Sequence, residues 1–198
     1  MAPPSDRLTQ QLAFIVEIDK LKAVLRQNVL IDRTRRENSA EHSWHIAVMA
    51  LVLIDHAGPA VDPLRVLKML LIHDLVEIDA GDTFLYDTAA AADQAARERV
   101  AAERLYGLLP PDLATELRAL WDEYEAGESP DARFGRALDR LNPLLLNYHT
   151  EGMMWRRNDV SGRDVLARNR VIERGSPSLW RYAEALIQDA IAKGYLKP

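Results

Sequence analysis

A chain of 198 residues with 48% hydrophobic content can bury one full core unaided, and a single domain spanning 1–198 is expected. Its formal charge of -5, with no lysine and arginine cluster long enough to track a phosphate backbone, argues against a nucleic-acid duplex as partner. Cysteine is absent, which excludes disulfides, thiolate nucleophiles and zinc-thiolate sites, so any metal must be held by histidine, carboxylate and water.

Met1 to Arg7 lacks the basic region and apolar core of a signal peptide, and no apolar run reaches the roughly 18 residues of a membrane span. A soluble, cytoplasmic protein with no membrane partner is the expectation. Apolar residues recur at helical spacing almost throughout, and no strand-like alternation bounded by turns stands out, so the expected fold class is all-α.

Leu12, Ile15, Val16, Ile18, Leu21, Val24 and Leu25 mark a first helix. Gln27 to Glu37 follows as an irregular charged stretch, too polar for core. Asn38-Ser39-Ala40-Glu41 reads as a capping box opening a helix that runs to about His56, where Gly58-Pro59 stops it. Asp62-Pro63 supplies an N-cap and a proline at N1 for a strongly apolar helix ending near Gly81. An alanine-rich helix is expected from Ala89 to Tyr106, and another amphipathic one from Pro110-Pro111-Asp112 to about Gly127. From Asp131 a helix carries Phe134, Ala137, Leu138, Leu141, Leu144 and Leu145, with Pro143 expected to kink or break it. Ser161-Gly162 precedes a short helix, and Ser176-Pro177-Ser178 caps the last, up to Gly194.

His73 and Asp74 interrupt the apolar run Val66 to Val76. An acid beside an imidazole in a helix buried nearly all round costs several kcal/mol unless something compensates, and a metal cation compensates both. His42 in Glu41-His42-Ser43-Trp44-His45 and Asp139 in Ala137-Leu138-Asp139-Arg140-Leu141 are ligand types in similarly apolar helices. Together the two imidazoles and two carboxylates form a candidate four-ligand set with positions left for water. Such a site lowers the pKa of bound water toward ~7 and polarises a phosphoryl oxygen, so hydrolysis is the natural reaction class. Glu77 lies one turn after His73 and could hold or deprotonate the attacking water, while Asp82, just past Gly81, could protonate a leaving group or orient a hydroxyl.

Each residue taken singly also has a plainer reading. His73 and Asp74 could be a buried hydrogen-bonded pair, Asp139 and Arg140 a surface ion pair, Glu77 a solvated helix end and Asp82 a turn residue. His45 and His149 read as packing or hydrogen-bonding residues, with His45 close enough to His42 for a supporting or second-metal role. His56 reads as a helix C-terminal residue favoured by the dipole. Arg33, Arg35 and Arg36 form either an anion-binding lip or a solvated loop. Trp44, Trp121, Trp155 and Trp180 read as core or interface.

The order is more informative than its parts. Glu41-His42-Ser43, His73-Asp74-Leu75-Val76-Glu77, Gly81-Asp82 and Leu138-Asp139-Arg140-Leu141 closely resemble the 5'-deoxynucleotidase-like branch of the HD-domain phosphohydrolases, over about Leu12 to Leu186 with a motif core near 38–150. The resemblance implies a single-domain helical bundle with a central metal site made by His42, His73, Asp74 and Asp139. It implies phosphate removal from (deoxy)nucleoside 5'-monophosphates, with Glu77 and Asp82 catalytic, and a homodimer. The implied cofactor is one divalent cation, drawn from manganese, cobalt, magnesium, iron, copper or zinc. Members with known substrate contacts carry an arginine and a tryptophan where Gln27 and Asn28 align without gaps, so Arg26 or Arg33, by a small shift, is the expected phosphate contact. The competing expectations are another small phosphate ester or signalling nucleotide as substrate, or a non-catalytic nucleotide- or metal-binding protein.

Overall fold

The computed structural model describes residues 6–87 and 92–198. Helix α1 (Arg7–Glu17) starts where the Asp6 carboxylate accepts from the Thr9 amide, and the chain continues as a 3₁₀ segment over Ile18–Ala23. The helix expected to reach Leu25 therefore stops earlier. Val24 turns extended, and Leu25 opens an antiparallel hairpin of β1 (Leu25–Val29) and β2 (Arg36–Asn38). This small hairpin replaces the irregular stretch that the sequence suggested. Its turn is closed by the Leu30 amide on the Arg35 carbonyl and by Arg33 in the left-handed conformation. Nor is it all surface, because Asn28 and Glu37 are buried.

The capping box forms as expected: Asn38 accepts from the Glu41 amide while Glu41 reaches back to the Asn38 amide, opening α2 (Ser39–Leu53). A 3₁₀ turn, Ile54–His56, closes it. Asp62 caps α3 (Pro63–Ile72). The expected continuous helix to Gly81 instead tightens to a 3₁₀ turn at His73–Val76 before resuming as α4 (Glu77–Ala80), with Gly81 at φ 76 ending it. The tightening spoils the usual α-helical bonding there, and two aromatic donors meet the carbonyls: Tyr106 Oη donates to Ile72 O and Trp121 Nε1 to His73 O, both at 3.2 Å.

Helices α5 (Gln94–Tyr106) and α6 (Pro111–Ala126) follow, the latter ended by left-handed Gly127. The start expected for α5 at Ala89 lies outside the described residues. Helix α7 (Pro130–His149) is capped by Ser129 and runs unbroken through Pro143. Its buried face, with Phe134, Leu138, Leu141 and Leu144, offsets the ~3 kcal/mol that an interior proline costs. The chain ends with α8 (Met153–Arg157), α9 (Gly162–Asn169), α10 (Val171–Gly175) and α11 (Pro177–Ala192), with Ser161 and Ser176 as caps of α9 and α11.

Two apolar clusters make the interior. The larger joins α2, α3, α7, α9 and α11 through residues such as Ile46, Leu70, Leu138, Val165 and Ile187. The smaller joins Phe14 and Leu21 to Leu75, Val76, Tyr106 and Trp121. The His73–Val76 turn lies between them: Leu75 and Val76 enter the smaller cluster, while His73 and Asp74 line a polar cavity. Of the tryptophans, Trp121, Trp155 and Trp180 are buried as expected, whereas Trp44 stands exposed on α2. Among the described residues no helix is long and apolar enough to cross a membrane.

Candidate metal centre

His42, His73 and Asp139 come from α2, the turn after α3, and α7, and their ligand atoms all lie within 4.8 Å of one another. The surroundings fix which nitrogen each imidazole presents. His73 Nδ1 donates to Leu70 O at 2.9 Å, which leaves the buried Nε2 as the lone-pair atom, without a hydrogen-bond partner. Asn142, one turn after Asp139, donates through Nδ2 to His45 Nδ1 at 3.0 Å and faces His42 Nδ1 with its Oδ1 at 3.2 Å. His42 therefore carries its proton on Nδ1, and its Nε2 lone pair meets Asp139 Oδ1 at 2.9 Å. Two acceptors at that distance repel unless a proton or a cation lies between them. A His, His, carboxylate set with oxygen-bonded Nδ1 atoms fits a divalent cation.

Asp74, the fourth expected ligand, sits beside this group. Its Oδ1 is 3.0 Å from His73 Nε2, and its Oδ2 accepts from Arg26 Nη1 at 2.7 Å. Arg26 reaches in from β1 and lies within 4 Å of Glu77, Asp82 and Asp139 as well, at 3.9, 3.8 and 3.9 Å. Behind it, Arg26 Nε is 3.7 Å from the buried carboxylate of Glu37. Glu77 is held by Ser39, whose Oγ donates to Oε2 at 2.5 Å. Six of the eight expected site residues surrounding this point, His42, His73, Asp74, Asp139, Glu77 and Asp82, thus converge with Arg26 as the seventh. Arg33 does not join them: it lies on the hairpin turn and pairs with Glu151 at 2.9 Å in solvent.

The electrostatics follow from burial. Desolvation and then the Asp74 charge push the Glu77 carboxyl well above its ordinary range, and desolvation also raises Asp82. Burial raises Glu37 to about 7 against the pull of Arg26. For Asp74 burial acts upward, but the positive charges of His73 and Arg26 outweigh it and hold the carboxyl at about 2. For His73 burial acts downward, and Asp74 outweighs it to raise the imidazole to about 9. A proton and a cation would compete for the one lone pair at His73 Nε2.

Two cavities meet at this centre. One is acidic, about 950 Å³, lined by His73, Asp74, Glu77, Glu98, Glu125 and Arg136 among others. The other is a cleft of about 640 Å³ with walls from Phe84, Tyr86, Leu144, Met154 and Trp155. Arg26, Asp82, Thr83, Asp139 and Arg140 line both. The plainer reading of Asp139 and Arg140 as a surface ion pair does not hold among the described residues, since Asp139 turns inward to His42. Sequence reasoning passed over Asn142, although it interrupts the apolar run Leu141 to Leu146 much as His73 interrupts its own. Ser39 and Glu37 carried no signal, because each lay in a segment read by its local pattern as a cap or a loop.

A helical bundle that gathers two imidazoles and a carboxylate from three separate elements, with ligand atoms within 4.8 Å of one another, defines a class, the HD-type metal-dependent phosphohydrolases. The chain belongs to the HD domain family, whose model matches residues 18–180. It is similar to 5'-deoxynucleotidase HDDC2 of Homo sapiens, 33% identical over 135 residues that cover 68% of this chain and 65% of the human protein, just under two thirds of that length. It is also similar to 5'-deoxynucleotidase hdd1 of Schizosaccharomyces pombe, 23% identical over 92% of this chain and 85% of the yeast protein. Among solved structures, a "predicted metal-dependent phosphohydrolase" of Magnetospirillum magnetotacticum MS-1 is 57% identical with a TM-score of 0.95 over the whole of both chains.

Proposed function

We propose that the protein removes phosphate from (deoxy)nucleoside 5'-monophosphates with the help of one divalent cation. The observation that carries this reading is the meeting of two unlike cavities at Asp139, one lined by acids and imidazole and one by aromatic side chains. The first suits phosphoryl chemistry and the second, with aromatic and amide side chains, suits a leaving group that carries a flat base, such as a nucleoside. The names of the human and yeast relatives support the same substrate class.

His42, His73 and Asp139 would hold the cation, with Asp74 alongside. When bound, a divalent cation supplies Lewis-acid polarisation of a phosphoryl oxygen and lowers the pKa of water. Glu77 takes the proton from the attacking water, a role suited by the basicity that its burial raises. Asp82, also raised, delivers a proton to the 5' oxygen as the phosphorus–oxygen bond breaks. Ser39 holds Glu77 in place, and Arg26 offsets the charge of the carboxylates around it.

The homodimer belongs to the same proposal. Trp44, Val48, Leu51 and Val52 form an exposed apolar stripe on α2, and Leu12, Ile15 and Val16 are exposed on α1. Sedimentation at micromolar concentration checks it, and a monomer at all concentrations contradicts it. A cytoplasmic location is likewise part of the proposal.

The test is phosphate release from ribo- and deoxyribonucleoside 5'-monophosphates, with 3'-monophosphates and cyclic nucleotides as controls, using stripped protein resupplied with manganese, cobalt or magnesium. Metal-dependent release from the 5' series is expected. Release only from cyclic or 3' substrates, or from none, contradicts the substrate assignment.

A further inference from the structure

We infer that Arg140 is the guanidinium that holds the substrate's phosphate, at the seam between the acidic cavity and the aromatic cleft. The substrate class rests on the monophosphate reading above; the anion site does not. Arg140 lines both cavities, as a ligand spanning them requires. The groups that feel its charge lie on either side, Asp139 in the acidic cavity and Tyr86 in the cleft.

The neighbouring cations are already committed. Arg26 is surrounded by Asp74, Glu77, Asp82 and Asp139, so a phosphate reaching it must displace carboxylates. Arg136 donates to the Tyr124 and Glu125 carbonyls, and Arg36 donates to the Leu25 and Arg26 carbonyls. Arg140 has no hydrogen bond or ion pair with any described residue, although it is half-buried. A part-buried guanidinium whose donors all remain open is an anion receptor in waiting, because its planar fork matches two phosphate oxygens at once.

The charge of the acidic cavity favours such a group. Asp74, Glu77, Asp82, Glu98, Glu125 and Asp139 all line it, and a phosphate dianion entering there is repelled less where, besides the metal, a guanidinium with open donors faces it. Helical spacing puts Arg140 in that position. Arg136, Arg140, Leu144 and Asn147, at intervals of three or four residues on α7, run along one face from the acidic cavity to the cleft. A phosphate held by Arg140 beside Asp139 leaves the nucleoside to extend along that face toward Leu144 and Trp155.

The experiment compares wild type with R140A, R140Q and R140K, each loaded with manganese. Metal content and thermal melting are measured first, then binding of inorganic phosphate by calorimetry at fixed ionic strength, then kcat and KM for the nucleoside monophosphates. R140A and R140Q are expected to keep their metal and weaken phosphate binding roughly 10- to 100-fold. KM is expected to rise by a similar factor. R140K should recover only part of the loss, since an ammonium offers a point charge in place of a fork. Phosphate binding within twofold of wild type in a metal-loaded R140Q protein overturns the inference, as does a wild type that binds no phosphate. Phosphate binding that depends on Arg140 in a protein that hydrolyses no nucleoside monophosphate upholds the anion site and overturns the substrate reading instead.

Discussion

The two cavities that meet at Asp139 are built differently. The metal-ligand candidates beside the acidic one come from α2, α7 and the turn closing α3, where His42 and His73 are buried and each Nδ1 is tied to an oxygen. The cleft is bounded instead by β1, the loop 81–87, α8 and the end of α9, with α7 as its one long wall. The metal-ligand candidates, which must stay within fractions of an ångström, are carried on packed elements, whereas most of the cleft wall, and Asp82 with it, sits on short segments. Metal binding is thereby held more rigidly than the choice of leaving group.

The sharpest way to break this contrast is His73→Ala. It removes the lone pair that Leu70 orients, and loss of bound metal and of all measurable turnover is expected from metal analysis and phosphate release. A variant with full metal content and activity would exclude His73 from the centre. Glu77→Gln should retain its metal and lose turnover by about 10²- to 10⁴-fold, the usual worth of a general base. Wild-type rates in that variant remove Glu77 from the mechanism. On the cleft side, Phe84→Ala is expected to leave metal content intact and raise KM about tenfold for nucleoside substrates, from one lost aromatic contact. An equal rise in KM for a small phosphate ester lacking a nucleoside would contradict the division between the cavities.

A smaller effect tests the burial of Glu37. Its carboxyl titrates at about 7 in the folded chain but near its ordinary 4.5 when unfolded, so between those values the native state binds more protons and stability falls as pH rises. Glu37→Gln removes that slope, and its melting temperature relative to wild type should climb from about pH 5 to about pH 8. A difference flat with pH argues that Glu37 is ionised in the native state. The least effect is expected at Arg33, whose pair with Glu151 is exposed: Arg33→Ala should shift stability by under about 1 kcal/mol and leave KM within experimental error. A large rise in KM would restore Arg33 as a phosphate contact.

Much of this was legible before any coordinates. Asn38 with Glu41, Asp62 with Pro63, and Ser176 with Pro177 are local chemical signals for helix starts, and all form. His42, His73, Asp74 and Asp139 stood out because polar groups in apolar helices need a compensating partner. What escaped was governed by contacts distant in sequence. β1 is a polar strand, Leu-Arg-Gln-Asn-Val, whose pairing with β2 leaves no alternation to read. The tightening at His73 depends on Tyr106 and Trp121, more than thirty residues away in the chain. Pro143 looked like a breaker because a local rule does not see the buried face of α7. Arg140 carried no signal of its own, because its one local reading was a pair with the acid beside it, and in the helix that acid turns to His42.

The most direct test of the central claim is a metal titration of stripped protein, following bound metal and phosphate release from a nucleoside 5'-monophosphate in the same samples. Turnover that rises in step with occupancy and levels off at one equivalent is the expected result. Full turnover before any metal is added, or a protein saturated with metal that releases no phosphate from any monoester, would contradict it.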